Sequence, residues 1–240
     1  MSLIRKTLAV SSAVLGLFGA TLAVAQSIIV RASGPSAQSY PAGKTIAANA
    51  RIALSAGDTV TIVDAGGTRV LRGPGVFTPS GPSARAGSGF GQLLSNTGAR
   101  QARTGATRSG VAGDPSRSPS VWLVDASKSG TMCLTNAYAA GLWRPGTAAG
   151  TLSLTRLSDN KAVKVNFAEG QAVKPWPIAE LPIAGGGEFR ISGDFGTEPN
   201  TIRVVMTGED PRTLDGAAAL LIKNGCENQL NLLVETTSRS

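Results

Sequence analysis

The apolar residues of this chain come in short alternating runs, each stopped by glycine, proline or an Asp/Asn turn, and that punctuation confines it to a β-rich fold. Ser27 to Ala32 (SIIVRA) is a β-branched run that reads as a strand. A turn-rich piece from Gly34-Pro35 to Gly43 follows, then Arg51 to Leu54 and a Gly57-Asp58 turn. Thr59-Val60-Thr61-Ile62-Val63 alternates Thr with Val and Ile, as a strand buried on one face does. Asp64 to Gly67 can take positive φ, so Thr68 to Leu71 is expected as the hairpin partner. Arg72-Gly73-Pro74-Gly75 breaks the chain before Val76-Phe77-Thr78. Residues 26–79 therefore read as a small antiparallel β domain.

From Pro79 the composition turns to Gly, Pro, Ser and Ala. Phe90, Leu93 and Leu94 share a helical face and Arg100 and Arg103 follow, which predicts a short basic helix over 88–103. Residues 104–119, with Gly105, Gly110, Gly113, Pro115 and Pro119, have linker composition, so 80–119 is expected to separate two domains. Beyond it, Val121 to Val124 reads as a strand with Thr131 to Leu134 as its neighbour across the Ser127–Gly130 turn. Thr151 to Leu157 and Ala162 to Phe167 flank the turn Ser158-Asp159-Asn160, and Glu188 to Ser192 and Thr201 to Met206 supply two more strands. Six short strands with turns between them suggest a β-sandwich-like domain, or an open barrel, over 120–240. Asp210-Pro211 is a helix opening, with Leu214, Ala217, Ala218, Leu221 and Ile222 at helical spacing and Gly225 as the stop. Leu230 to Val234 fits a second short helix or a last strand equally well. The expected class is mainly β: a small antiparallel unit plus a second β-sandwich-like domain with one or two C-terminal helices.

Ahead of these elements, Arg5 and Lys6 precede an uncharged apolar run from Leu8 to Leu22, which ends in Ala23-Val24-Ala25 before Gln26. A basic start, an apolar middle and small residues spaced before a polar one are what a signal peptidase reads. An uncleaved anchor is the alternative. A span needs about 20 apolar residues, and Leu8 to Ala25 falls short, diluted by Ser11, Ser12, Gly16, Gly19 and Thr21. Residues 1–25 are therefore expected to be a cleaved signal peptide, leaving a soluble periplasmic or secreted protein. No cysteine lies near the cleavage point to take a lipid.

Export bears on the two cysteines, Cys133 and Cys226. An oxidising compartment favours pairing them, neither belongs to a C-x-x-C motif, and the chain has no histidine with which to build a zinc site. Charge is distributed unevenly. The chain carries +8, of which Arg5 and Lys6 leave with the leader. Residues 26–119 hold ten Lys/Arg against Asp58, Asp64 and Asp114, whereas 120–240 are nearly balanced. A basic half can attract anionic lipid, acidic polymer or nucleic acid. Export argues against nucleic acid, and that half has only Tyr40, Phe77 and Phe90 for base stacking.

The missing histidine removes Ser-His-Asp and Cys-His catalysis and nearly all common zinc geometries. Ser158 to Lys161 matches S-x-x-K and Lys128-Ser129-Gly130 matches K-[ST]-G. Their order is the reverse of the penicillin-binding arrangement, and both fall at hairpin turns. Glu209, Asp210 and Asp215 cluster where acids complement a helix dipole. Gly185-Gly186-Gly187 and Gly87 to Gly91 lack the βαβ context of a phosphate cradle. Trp143 with Arg144 and Pro145, and Trp176 between Pro175 and Pro177, each place a tryptophan beside proline in an expected loop of an aromatic-poor domain. They read as core anchors or as a paired aromatic recognition surface with Arg144 beside it.

Ala50 to Leu54, Ala56-Gly57-Asp58-Thr59-Val60, Gly67 to Leu71 and Gly73-Pro74-Gly75 together resemble the small β repeat of FecR-type periplasmic domains, over residues 45–78. In that repeat an L-x-x-Gly-Asp-x-Val turn precedes stacked strands. The sequence shows no following membrane span of the kind anti-sigma signalling uses, so the resemblance implies location and a binding or signalling role rather than a reaction. The whole chain also resembles exported bacterial proteins with a Cys-stapled C-terminal β domain. The expectation is a non-catalytic binding or signalling module without metal or cofactor. It would touch an envelope protein or acidic envelope polymer, or a membrane surface peripherally, through Trp143, Arg144, Trp176, Arg100 and Arg103. The alternative is an envelope-polymer hydrolase using Glu169, Glu180 and Glu188.

Overall fold

The computed structural model describes residues 26–79, 90–95, 116–183, 185–193 and 198–238. The expected leader, most of the 88–103 helix with Arg100 and Arg103, and nearly all of the linker lie outside the described residues.

The first half is an antiparallel sheet in the order β2-β1-β4-β5, built from β1 (Gln26–Ser33), β2 (Thr45–Ala47), β4 (Thr59–Asp64) and β5 (Gly67–Arg72). β4 and β5 pair from Thr59↔Arg72 to Asp64↔Gly67, the expected hairpin. Its turn is fixed by the Gly66 N–H donating to Asp64 Oδ1 at 2.7 Å. β3 (Ile52–Leu54) and β6 (Gly75–Phe77) form a separate antiparallel ribbon. Strand alternation gives the sheet two faces. Ile29, Ile46, Val60, Ile62 and Leu71 face the ribbon and pack on Ile52 and Leu54. Ile28, Val30 and Val63 look the other way.

The second half is sandwich-like. A five-stranded sheet runs β11-β10-β13-β14-β8, with β8 (Gly130–Leu134), β10 (Gly150–Arg156), β11 (Ala162–Phe167), β13 (Gly187–Gly193) and β14 (Asn200–Met206). A three-stranded sheet runs β12-β9-β7, with β7 (Leu123–Asp125), β9 (Gly141–Trp143) and β12 (Val173–Pro175). Leu142 and Val124 of the smaller sheet share one core with Leu152, Leu154, Phe189, Ile191, Ile202 and Val204 of the larger.

Two expectations need correction here. The stretches 121–124 and 131–134 are not hairpin neighbours: β7 pairs parallel with β9, and β8 pairs parallel with β14. The intervening turn carries the chain from one sheet to the other. Asp125 fixes it by accepting from the backbone N–H and the hydroxyl of Ser127. Parallel partners far along the chain leave no local pattern, whereas a two-strand turn does. Likewise the Trp-Pro stretches taken for loops supply β9 and β12, with Pro175 at the end of an edge strand, where its missing N–H costs no ladder bond.

α1 (Phe90–Leu93) is short. α2 (Leu214–Lys223) begins later than Asp210-Pro211 suggested, because the Thr213 hydroxyl caps it by accepting from Gly216 N–H at 3.3 Å. Gly225, at φ 67°, ends the turn after it. The ambiguous 230–234 segment is helical, within α3 (Glu227–Thr237).

Both C-terminal helices belong by sequence to the second half, yet they pack on the open face of the first sheet. Ile28, Val30 and Val63 share a buried cluster with Leu214, Ala217, Ala218, Leu221 and Leu233, and with Trp122 and Cys133 of the second half. Thr68 of β5 and Thr237 of α3 are joined by a buried 2.6 Å hydroxyl contact. Since Thr237 gives its proton to Leu233 O at 2.7 Å, Thr68 is the donor. The two halves therefore meet through one continuous helix layer.

Candidate functional site

The expected disulfide is present at this junction. Cys133 and Cys226 are bonded, with Cα atoms 5.9 Å apart and both side chains buried. β8 is the edge of the five-stranded sheet, so Cys133 would show unpaired backbone groups to the helix layer. Gln229, one turn after Cys226, supplies the partners. Its Oε1 accepts the Cys133 N–H at 2.6 Å, and its Nε2 donates to Cys133 O at 2.8 Å and to Val121 O at 2.5 Å. A buried amide thus substitutes for a neighbouring strand.

Directly over this junction lies a cleft of about 350 Å³ between α3 and the Leu123–Trp143 end of the small sheet. Asn228, Leu232 and Glu235, at i, i+4 and i+7, line its helical wall. Leu123, Met132, Trp143 and Pro145 give it an apolar floor, and Arg117, Asp125 and Lys128 stand at its rim. Lys128 lies 3.7 Å from Asp125, and Asn228 Nδ2 donates to Ser129 O at 2.8 Å, so the 125–129 turn is tied to α3. Such a site suits a small amphipathic group: an apolar portion can sit on Trp143 while polar ends reach charges of either sign.

The two rings expected to pair as a recognition surface beside Arg144, Trp143 and Trp176, are both buried, and Trp143 and Arg144 line different clefts. The Trp143 and Arg144 side chains point to opposite sides, and Arg144 is also almost wholly buried. Trp143 packs with Leu123 beneath the cleft. Arg144 lines a second cleft of about 240 Å³, with Leu152, Ile191, Glu198 and Asn200. Its Nη2 donates to Ala148 O, and to Gln171 O at 3.1 Å, and its guanidinium lies 4.8 Å from the centroid of Phe167. Burial lowers its pKa from the ordinary arginine value. Trp176 is a core anchor, meeting Phe189 edge-on at 5.0 Å and donating through Nε1 to Leu181 O at 2.7 Å.

Glu169, Glu180 and Glu188 are solvent-exposed, and none lines either cleft. Ser129 belongs to a turn contact, with its hydroxyl donating to Asn200 Oδ1 at 3.1 Å. Among the described residues no three His, Cys, Asp or Glu side chains could together hold a metal ion. Among the same residues no helix is long and apolar enough to cross a membrane.

Gly57-Asp58 is a structural knot. Asp58 is buried and accepts from Ser36 N–H at 2.9 Å and Ser55 N–H at 2.5 Å. The Ser36 hydroxyl first, then these backbone donors, hold its carboxyl below the usual value, against burial, which raises it. Gly34, at φ 102°, sits so close that a Cβ there would lie 2.5 Å from Asp58 Oδ1.

Sequence reasoning missed Gln229 and the helical wall of the cleft. The available clue was spacing, since Gln229 falls one helical turn after Cys226 and so on the disulfide's face. A scan against protein-family models and searches of curated proteins and solved structures find no match to this chain.

Proposed function

We infer that this is an exported, non-catalytic binding protein whose contact site is the cleft between α3 and the Leu123–Trp143 strand ends. The observation that carries this reading is the cleft's construction: an apolar floor and a mixed-charge rim, with Cys133–Cys226 and the Gln229 amide fixing the walls beneath. A wall held by a covalent bond and three buried hydrogen bonds does not have to be ordered when a ligand arrives, which favours affinity. The occupant that fits is an amphipathic segment of an envelope protein. The leader-like residues 1–25 and the disulfide both support an oxidising compartment, and the FecR-like stretch agrees with a periplasmic setting.

The test is site-specific photocrosslinking in exporting cells, with the crosslinker at Lys128 and, as control, at exposed Glu180. Discrete adducts from Lys128, reduced by Trp143→Phe and absent from Glu180, are expected. Equal labelling at both positions would remove the cleft from the contact.

A further inference from the structure

The expected cleavage point lies immediately before β1. β1 starts at Gln26, the residue after Ala23-Val24-Ala25. Its side chain is exposed, but Ser27 is already buried and the register with β2 runs from Gln26↔Ala47 through Ser27↔Ile46. A chain cut before Gln26 therefore presents its new end on a fixed strand.

The direction of the Gln26 nitrogen follows from strand parity. The Ile29 N–H donates to Lys44 O at 2.9 Å, and Gly43 N–H donates to Ile29 O at 2.8 Å, so Ile29 turns its backbone groups toward the β2 side. Residues of opposite parity, Ile28 and Gln26, turn theirs toward β4. Pairing of β1 with β4 starts only at Ile28↔Val63. The Gln26 nitrogen thus lies outside both ladders, and closing a ring on it removes no bond from the sheet.

We propose that Gln26 of the processed chain is a modification site, closing on itself to a pyroglutamyl end. The freed α-amine attacks the side-chain carbonyl carbon Cδ of the same residue. The N–Cδ bond forms, the Cδ–Nε2 bond breaks, and Nε2 leaves as ammonia carrying the proton the amine gives up. No oxidant, reductant or second substrate enters. The product is a five-membered lactam that keeps one N–H, loses the terminal positive charge and offers aminopeptidases no amine. A processed protein held in the envelope gains protection at the amino end of its first strand.

The proposal rests on the export reading, and the experiment separates the two. The protein is purified from exporting cells and its amino-terminal peptide is examined by mass spectrometry and by Edman sequencing. The expected peptide starts at position 26, is lighter by one ammonia than a Gln-initiated peptide, and resists Edman degradation. Gln26→Ala, expressed in the same way, should yield a readable sequence starting at Ala. A peptide starting at Gln26 with an intact amine, after prolonged incubation, overturns the modification and leaves export standing. An unprocessed chain overturns both. Cleavage elsewhere overturns the modification alone.

Discussion

Gln229 pairs with both backbone groups of Cys133, its Oε1 accepting at 2.6 Å and its Nε2 donating at 2.8 Å, so an α-helical side chain closes the edge of a β-sheet. This relationship joins the two halves where the disulfide also joins them. The bonded strand, β8, pairs on its other side with β14 in parallel.

Gln229→Leu keeps the volume and deletes the amide, leaving the N–H and C=O of Cys133 and the Val121 carbonyl buried without this partner. Each such group costs roughly 1–3 kcal/mol, so a fall in urea midpoint equivalent to at least about 2 kcal/mol is expected. Gln229→Glu should be worse at neutral pH, because a carboxylate cannot donate to the two carbonyls, and should recover in part as pH falls and the acid is protonated. A variant as stable as the parent would mean that water replaces the amide.

Cys133 and Cys226 are separated by 93 residues. In the chain-entropy account, a loop of this length gives the disulfide a stabilising effect of about 4–5 kcal/mol as an upper figure. Cys133→Ala/Cys226→Ala should therefore lower the melting temperature by several degrees or more. The loss should extend to the first sheet, whose face the helices cover. Hydrogen exchange at Ile28 and Val63 would report it. Accelerated exchange confined to β8 would show that the helix layer holds without its staple.

Acid stability should follow Asp58 and Asp159. Hydrogen bonds from Ser36, then Ser55, lower the Asp58 pKa, and Arg156 lowers that of Asp159 to about 2. Because both folded values lie below the unfolded ones, each carboxylate contributes stability that is present in full above its unfolded pKa near 3.8. That contribution is lost as pH falls through the folded value. Chemical denaturation between pH 6 and about pH 2 should show a declining midpoint below about pH 4. Asp58→Asn should be less stable at neutral pH and show a shallower decline. Asp159→Asn should change little in high salt, since the Asp159 carboxylate is exposed.

Local chemistry made the hairpins readable. The Thr/Val/Ile alternation of 59–63 and the Asp64–Gly67 turn leave few other pairings, and the 151–167 hairpin is equally explicit: its strands pair from Gly150↔Phe167 to Thr155↔Ala162. The parallel pairs β7–β9 and β8–β14 were not readable, because their register is set across the sandwich rather than by a turn. Trp143 and Arg144 show the same limit within the site. Arg144 directly follows β9, and successive extended residues face opposite ways, so two neighbours in sequence line two different clefts. The disulfide was legible from the cysteine count and the expected compartment, but the role of Gln229 beside it was not. Spacing from Cys226 puts Gln229 on the disulfide's face, but does not say that a strand edge lies above it.

The hydroxyl pair Thr68–Thr237 should act as a small but separable latch between β5 and α3. Thr68→Val removes the donor and leaves the Thr237 hydroxyl its bond to Leu233 O, so a loss of about 0.5–1.5 kcal/mol is expected. Thr237→Val deletes both bonds and should cost more. The coupling energy from the double-mutant cycle isolates the contact itself.

The split between Trp143 and Arg144 predicts opposite phenotypes for neighbouring residues. Arg144→Met keeps a long apolar stem against Phe167 but loses the bonds to Ala148 O and Gln171 O. A loss of about 1.5–3 kcal/mol is expected for hydrogen bonds from a charged group, with crosslinking from Lys128 unchanged. Trp143→Phe should lower stability less, because a ring still covers Leu123, and should reduce crosslinking several-fold by reshaping the cleft floor. Urea melts read beside crosslinking yields separate the two. If both variants lost crosslinking in proportion to stability, the cleft would be a consequence of folding rather than the place where a partner sits.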